Sequence, residues 1–408
     1  MATTRAPRTS GTSRGNLLDL VRARGPISRI ELAQVTGLTQ ATVSILVRQL
    51  LEDGLVADAG RSQSTGGKPR EMLALVPAAR FAVGLQLEAD STTAIVTDLA
   101  GAVVGRLRTR GVLDEGPAAF VAGFADRIDL LVEALGVERD RVVGVGVVTP
   151  GGIDRSGERV LGLPGPRSGE WAAAPLRSAL EAVAALPVLL DDDASAAAVG
   201  EFWAGTFPAT GAHCTLYLAG GVRAGIVLDG ALHRGSGAGA GRLARFGPRD
   251  RAPLAERVGP LGIAARARDA GLPGLTGDPF ADASAVATAA VHGDPAAVSV
   301  VVAAAEDLAD VAVALADLLG LDSVVLAGPA FTVAGSLHLA VLRARLAEEP
   351  DGPRILLSAQ IADAAAVGAA ALVLQHALSP RGSGPRAEGG RSRAIGADLG
   401  YGGPREGE

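Results

Sequence analysis

The sequence predicts an α/β protein of two unlike parts: a small basic head of helices with a β-hairpin, and a larger acidic body of two strand–helix lobes. Three observations carry that prediction. Between Pro26 and Arg70 the apolar spacing is helical twice in succession, and then two short strand-like runs flank a Gly- and Ser-rich tip. From Phe81 onward strand hairpins alternate with helices, and the pattern runs through twice. The charge divides at the same place. Residues 1–80 carry eleven Lys or Arg against six Asp or Glu, and the remainder carries 27 against 38. Such an imbalance fits a head that meets phosphates and a body that does not.

At 408 residues the chain has room for two or three domains, and a hydrophobic share of 48% makes the material globular. The apolar segment from Val298 to Leu321 is punctuated by Asp307, Asp310 and Asp317, so no window reaches a membrane span. The N-terminus, MATTRAPRTSGTSRG, has Arg but no apolar stretch and does not read as a secretory signal. A single cysteine, Cys214, leaves no intramolecular disulfide and no multi-cysteine zinc site. A cytoplasmic protein without a membrane partner is the expectation.

In chain order, residues 1–13 read as a disordered basic arm and residues 16–24, NLLDLVRAR, as the first helix of the head. Ser28 can cap a short helix carrying Ile30, Leu32 and Ala33, which Gly37 ends. Thr39 caps the next, whose apolar residues Val43, Ile45, Leu46, Leu50 and Leu51 recur at helical spacing. Two short helices joined by V-T-G-L-T form a helix-turn-helix, whose second helix can lie in the DNA major groove. The hairpin that follows, Leu55–Ala57 and Glu71–Leu75, makes the unit winged, and its tip Gly66-Gly67-Lys68-Pro69-Arg70 suits a phosphate ridge or minor groove. Thr39, Gln40, Thr42, Ser44, Arg48 and Gln49 supply polar contacts for base edges and phosphates, and no acid appears on the helix before Glu52. A helix face that was merely solvated would mix Glu with Lys or Arg.

The body opens with paired strands in FAVGLQLEA and TTAIVTDLAG, continued by VVGRLRTRGV. A helix over 117–136, a buried strand RVVGVGVVTP, a loop over 151–170 and a helix near 174–184 lead to PVLL, which ends at Asp191-Asp192-Asp193. The helix AAAVGEFWAG closes this half. A hairpin, HCTLYLAGGVRAGIVLDGALHRG, begins the next, followed by helices over 252–319, the strand DSVVLAG, a helix, a strand at 354–357 and the helix DAAAVGAAALVLQHAL. After Pro380 the composition is that of a disordered tail.

Over residues 14–378 this pattern resembles the ROK family of repressors and sugar kinases. The resemblance rests on GLTQATVSILVRQLLEDGLV with the GGKPRE wing, on VGVGVVTPGGID, PVLLDDDASAAAVGE, AGIVLDGALHRG and the closing DAAAVGAAAL, taken together. It implies a winged helix-turn-helix (14–77) on a two-lobed, actin-like body of the ribonuclease H-like, sugar-kinase type, with lobes at 78–195 and 196–378 and a tail at 379–408. It also implies chemistry from which this chain departs. Family kinases receive ATP phosphate on an Asp-x-Gly-Gly-Thr loop, where this chain has Gln86-Leu87-Glu88-Ala89-Asp90. Their second phosphate loop, G-x-G-x-G, reads Gly221-Val222-Arg223-Ala224-Gly225. Acids in one loop and a bulky Arg in the other oppose close backbone approach to phosphate.

Asp193 matches the kinases' general base, the Asp that accepts a proton from a sugar hydroxyl. Ligand contact by Asp193 and capping of the following helix by Asp192 or Asp193 are both open. The family's ligand Asn has no counterpart, and its Ala-Gly-Glu-x-Gly-His becomes Ala240-Gly241-Arg242-Leu243-Ala244-Arg245. With no Cys or His over 246–261, the family's zinc site lacks ligands. Arg242 and Arg245, with Arg223, either bind an anionic effector or pair with acids such as Asp191 and Asp192. The five histidines are scattered, and Trp171 and Trp203 read as packing residues.

The expectation is therefore a non-enzymatic, sequence-specific regulator that binds an inverted-repeat operator of double-stranded DNA as a homodimer or dimer of dimers. It carries no cofactor and no metal, and Asp193, Arg223, Arg242 and Arg245 are the candidate residues of a cleft for a sugar or anionic effector. The rival is an ATP-dependent sugar kinase with an added DNA-binding head.

Overall fold

Local capping sets the head. In the computed structural model, which describes residues 12–61, 70–88, 91–111, 115–163, 165–235, 239–247, 251–347 and 352–378, Thr12 caps α1 (Ser13–Arg24). The helix thus starts a turn before the apolar residues that announce it. After β1 (Ile27–Ser28), Ser28 and Glu31 form a reciprocal capping box at the start of α2 (Arg29–Thr36), and Gly37 ends it in the left-handed region at φ 70°. The Thr39 hydroxyl accepts from the Thr42 N–H to open α3 (Gln40–Glu52). β2 (Val56–Arg61) and β3 (Glu71–Leu75) form the wing, with β1 added beside β3. Leu17, Leu18, Val21, Leu32, Val43, Val47, Leu50, Leu55 and Leu73 fill the core between these elements. Ion pairs from Arg14 to Asp53 and from Arg29 to Glu71 tie α1 to the end of α3 and α2 to the wing.

Two five-stranded sheets of identical topology follow. The first comprises β4 (Phe81–Leu87), β5 (Ser91–Asp98), β6 (Val103–Arg110), β7 (Val142–Thr149) and β10 (Val188–Asp192), in the spatial order β10-β7-β4-β5-β6. Between them lie α4 (Pro117–Ala122), α5 (Phe124–Ala134), the two-residue strands β8 (Gly152–Ile153) and β9 (Val160–Leu161), α6 (Ser168–Ala173) and α7 (Leu176–Ala184). The helix expected over 117–136 is thus two, broken at Gly123, and the loop expected over 151–170 holds a short hairpin and a helix. The helix α8 (Asp193–Trp203) leads to the second sheet, β13-β12-β11-β14-β15, from β11 (Ala212–Leu218), β12 (Val222–Leu228), β13 (Ala231–Leu232), β14 (Ser323–Ala327) and β15 (Arg354–Leu357). Helices α9 (Leu254–Arg257), α10 (Gly259–Asp269), α11 (Pro279–Val291), α12 (Pro295–Leu319) and α13 (Gly335–Leu346) pack around it, and α14 (Ala364–Leu378) ends the described chain.

α14 belongs to the end of the second half in sequence, yet it packs on β4 and β7 of the first sheet and on α8, which in turn packs on β11 and β12. The two helices form the layer between the sheets. Glycine permits the approach. A Cβ on Gly84 would lie 1.9 Å from the Ala366 carbonyl, and one on Gly146 would lie 2.0 Å from that of Ala369. Trp171 is buried against Phe120 in the first half, centroids 5.6 Å apart, and His213 stacks on Phe207. Among the described residues no single helix is long and apolar enough to cross a membrane, and no group of three or more His, Cys, Asp or Glu is arranged to hold a metal.

Candidate nucleic-acid interface and body cleft

The helix α3 turns Val43, Val47 and Leu50 into the head and leaves Gln40, Ala41, Ser44, Ile45, Arg48 and Gln49 exposed. Of the residues expected to face DNA, Gln40, Ser44 and Arg48 stand outward. Thr39 and Thr42 are engaged with each other: their hydroxyls lie 2.9 Å apart, and Thr42 is half-buried. Arg70 is exposed just before β3, at the distal end of the described hairpin, while Gly66, Gly67 and Lys68 lie outside the described residues. Ile45 corrects the sequence reading. Counted there among the apolar stripe, it is 57% exposed, in the middle of the outward face. α3 has apolar residues on both sides, and spacing alone does not say which stripe is buried.

The head shares an apolar core with the body, and a cation–π contact joins them as well. The Arg22 guanidinium of α1 lies 4.2 Å from the ring centroid of Trp203, the last residue of α8. Trp203 is buried and its indole N–H donates to the Leu99 carbonyl at 3.3 Å.

The other end of α8 lies at the carboxyl ends of the parallel strands of the first sheet, where open α/β sheets place their ligands. Asp191, Asp192 and Asp193 are all buried there, beside Thr149 of β7 and Gln86 of β4. Asp192, not Asp193, is the helix cap. It accepts from the Ser195 N–H at 3.0 Å and from the Ser195 hydroxyl at 2.7 Å. Asp191 is held by both terminal nitrogens of Arg234, at 2.8 and 2.6 Å, a partner the sequence reading missed. Burial pushes the Asp191 carboxyl up, and the Arg234 fork opposes it. Asp193 has no such fork. Burial, then repulsion from Asp192, push its carboxyl up to about 7, against the pull of Arg223. Across the cleft Gln86 donates to the Tyr217 hydroxyl at 2.9 Å, joining the two sheets.

Residues 222–225, which the resemblance aligns with the kinases' second phosphate loop, lie in β12. A Cβ on Gly225 would meet the Ala194 carbonyl of α8 at 2.2 Å, so this glycine serves helix packing. Arg223 reaches Asp192 at 3.3 Å, and its buried Nη2 has no hydrogen-bond acceptor among the described residues. The expectation that Arg242 and Arg245 pair with Asp191 or Asp192 fails, because Arg234 and Arg223 occupy those acids. Arg242 is exposed, bridges to Arg223 through the backbone and reaches Gly152, where a Cβ would sit 3.4 Å from its Nη2. Arg245 is exposed on the following turn, and among the described residues no ion pair joins it to this cluster.

Residues 82–249 match the ROK family, and residues 12–57 match a winged helix-turn-helix DNA-binding domain. The chain is 29% identical over 217 residues to a xylose repressor of Caldicellulosiruptor bescii, covering 53% of this chain and 54% of that one. It is 26% identical over 246 residues to the Escherichia coli DNA-binding transcriptional dual regulator NagC, covering 58% and 57%. The chain thus spans about half the length of the curated relatives it matches. The structure resembles a ROK family transcriptional regulator, a homolog of the E. coli MLC protein, with a TM-score of 0.67 at 18% identity over 90% of this chain and 96% of that one. It also resembles a Streptomyces griseus ROK family glucokinase in complex with glucose and AMPPNP, at 0.57 and 22% over 72% and 98%. Head, body and sequence likeness agree: the chain carries a ROK family domain behind an N-terminal winged helix-turn-helix.

Proposed function

We propose that this chain is a sequence-specific DNA-binding transcriptional regulator, a repressor, whose ROK body dimerises and senses an effector without phosphorylating it. The observation that carries the reading is the outward face of α3. It offers Gln40, Ser44, Arg48 and Gln49 to a major groove, with no carboxylate before Glu52 at its end. The relatives' names as repressors support it. Residues 14–77 act as the head: Thr39, Gln40, Thr42, Ser44 and Arg48 engage the major groove, and Gly66, Gly67, Lys68 and Arg70 hold the adjacent backbone or minor groove. A homodimer, or a dimer of dimers, addresses an inverted-repeat operator.

The body's cleft takes a sugar or an anionic small molecule through Asp193, Arg223, Arg242 and Arg245. Two features favour the anion: Arg242 has no carboxylate partner among the described residues, and Asp193, neutral for much of its range below pH 7, can donate rather than repel. α8 spans about 16 Å from Asp193 to Trp203 at its helical rise. An effector that shifts its cleft end therefore moves the surface on which Arg22 seats the head. The rival reading, an ATP-dependent sugar kinase with an added head, meets Glu88 at the end of β4 and Arg223 in β12, where phosphate would need bare backbone.

The test is operator affinity across several salt concentrations for the wild type and for Arg48→Ala with Lys68→Ala. Each lost phosphate contact should flatten the slope of log K against log salt by about 0.9, so the double variant should lose affinity and up to about 1.8 in slope. Unchanged affinity and slope would remove α3 and the wing from the interface.

A further inference from the structure

Ile45 is the bulkiest side chain at the centre of α3's outward face and, at 57%, is more exposed than any other large hydrophobic residue of the head. Neither packing nor propensity accounts for it. Val43, Val47 and Leu50 fill the core from the opposite side, and a β-branched residue on an exposed helix position lowers helix stability relative to Lys, Glu or Gln. One turn earlier on the same face is Ala41, and one turn later is Arg48, with Ser44 at its flank; all are exposed. The face therefore has a small apolar centre between donors. On the edges of base pairs in the major groove the one apolar group is the C5-methyl of thymine.

We infer that Ile45, with Ala41 beside it, reads a thymine methyl in each operator half-site and fixes an A·T pair at that position. This rests on the DNA-binding reading above and adds a specificity-determining residue to it. The contact buries a methyl group between Ile45 and the base, while Arg48 and Ser44 hold the register on the phosphates and neighbouring edges. The inference concerns base choice rather than overall affinity: removing the Ile45 side chain should leave the electrostatic part of binding as it was.

The experiment uses the full chain and DNA sites selected from a random library, then replaces each thymine of the preferred site in turn by deoxyuridine, which lacks only the methyl. For the wild type, one symmetry-related thymine per half-site should lose about fourfold in affinity per methyl, the scale of one buried methyl group. For Ile45→Ala the same replacement should cost nothing, selected sites should lose their thymine preference there, and the salt slope should stay unchanged. Ile45→Val should keep most of the deoxyuridine penalty. A preferred site at which no thymine is sensitive to loss of its methyl overturns the inference alone. So does an Ile45→Ala variant that keeps the penalty. A library that yields no preferred site overturns the regulator reading and this inference with it.

Discussion

Replacing Asp193 by Asn removes one ionisation and keeps the side chain's size. In the folded protein burial and the Asp192 charge raise this carboxyl from an ordinary 3.8 to about 7, a change worth about 4 kcal/mol at about 1.4 kcal/mol per pH unit. The folded state thus holds the proton more tightly than the unfolded chain. Its stabilisation is complete below about pH 4 and is lost as the pH rises through about 7. Asn contributes no such term. Relative to the wild type, Asp193→Asn should gain roughly 2–3 kcal/mol between pH 5 and pH 8 and level off above that. Urea unfolding at several pH values, followed by tryptophan fluorescence, measures this. Both tryptophans, Trp171 and Trp203, are buried in the body that holds Asp193. Arg223, Asp192, Glu88 and Tyr217 surround the site in both proteins. A constant offset between the two proteins from pH 5 to pH 8 would show that Asp193 is ionised throughout and that the reasoning about its burial is wrong.

Two further predictions concern the joint and the body. A double-mutant cycle with Arg22→Leu and Trp203→Leu should show a coupling of about 1–2 kcal/mol in thermal or urea unfolding, the scale of a desolvated cation–π contact; a coupling near zero would mean the head is not seated there. Calorimetry with ATP at millimolar concentration should show no saturable heat, because Glu88 and Arg223 stand where phosphate would be received. A saturable isotherm would reopen the kinase reading.

What could be read from the sequence was what is local. Capping by Ser28, Gly37 and Thr39 depends on residues three apart and was legible at once, as were the strand at 354–357 and the hairpin of the second sheet. Ile45 was misplaced because α3 carries apolar residues on two sides, and only tertiary packing chooses between them. The Asp191–Arg234 fork, the Gln86–Tyr217 bond across the cleft and the Arg22–Trp203 seat join residues far apart in the chain, and no spacing rule connects them. The resemblance aligns residues 221–225 with the kinases' second phosphate loop, and in sequence Gly221 and Gly225 look alike. Gly221 turns the hairpin, with open space around its Cβ position, whereas Gly225 lies inside β12 where α8 presses on it. Capping by Asp192 or Asp193 is one of two roles the sequence allows the acidic run, and which carboxylate caps follows from where β10 ends.

On the proposed function, α3 reads DNA sequence on behalf of a two-fold assembly. The most direct measurement is to incubate the purified full chain with fragmented genomic DNA, recover the bound fragments and sequence them. The expected result is a shared inverted-repeat motif with half-sites about one helical turn apart. Recovery of fragments without any common motif, from protein shown to be folded, would contradict it and return the question of function to the body.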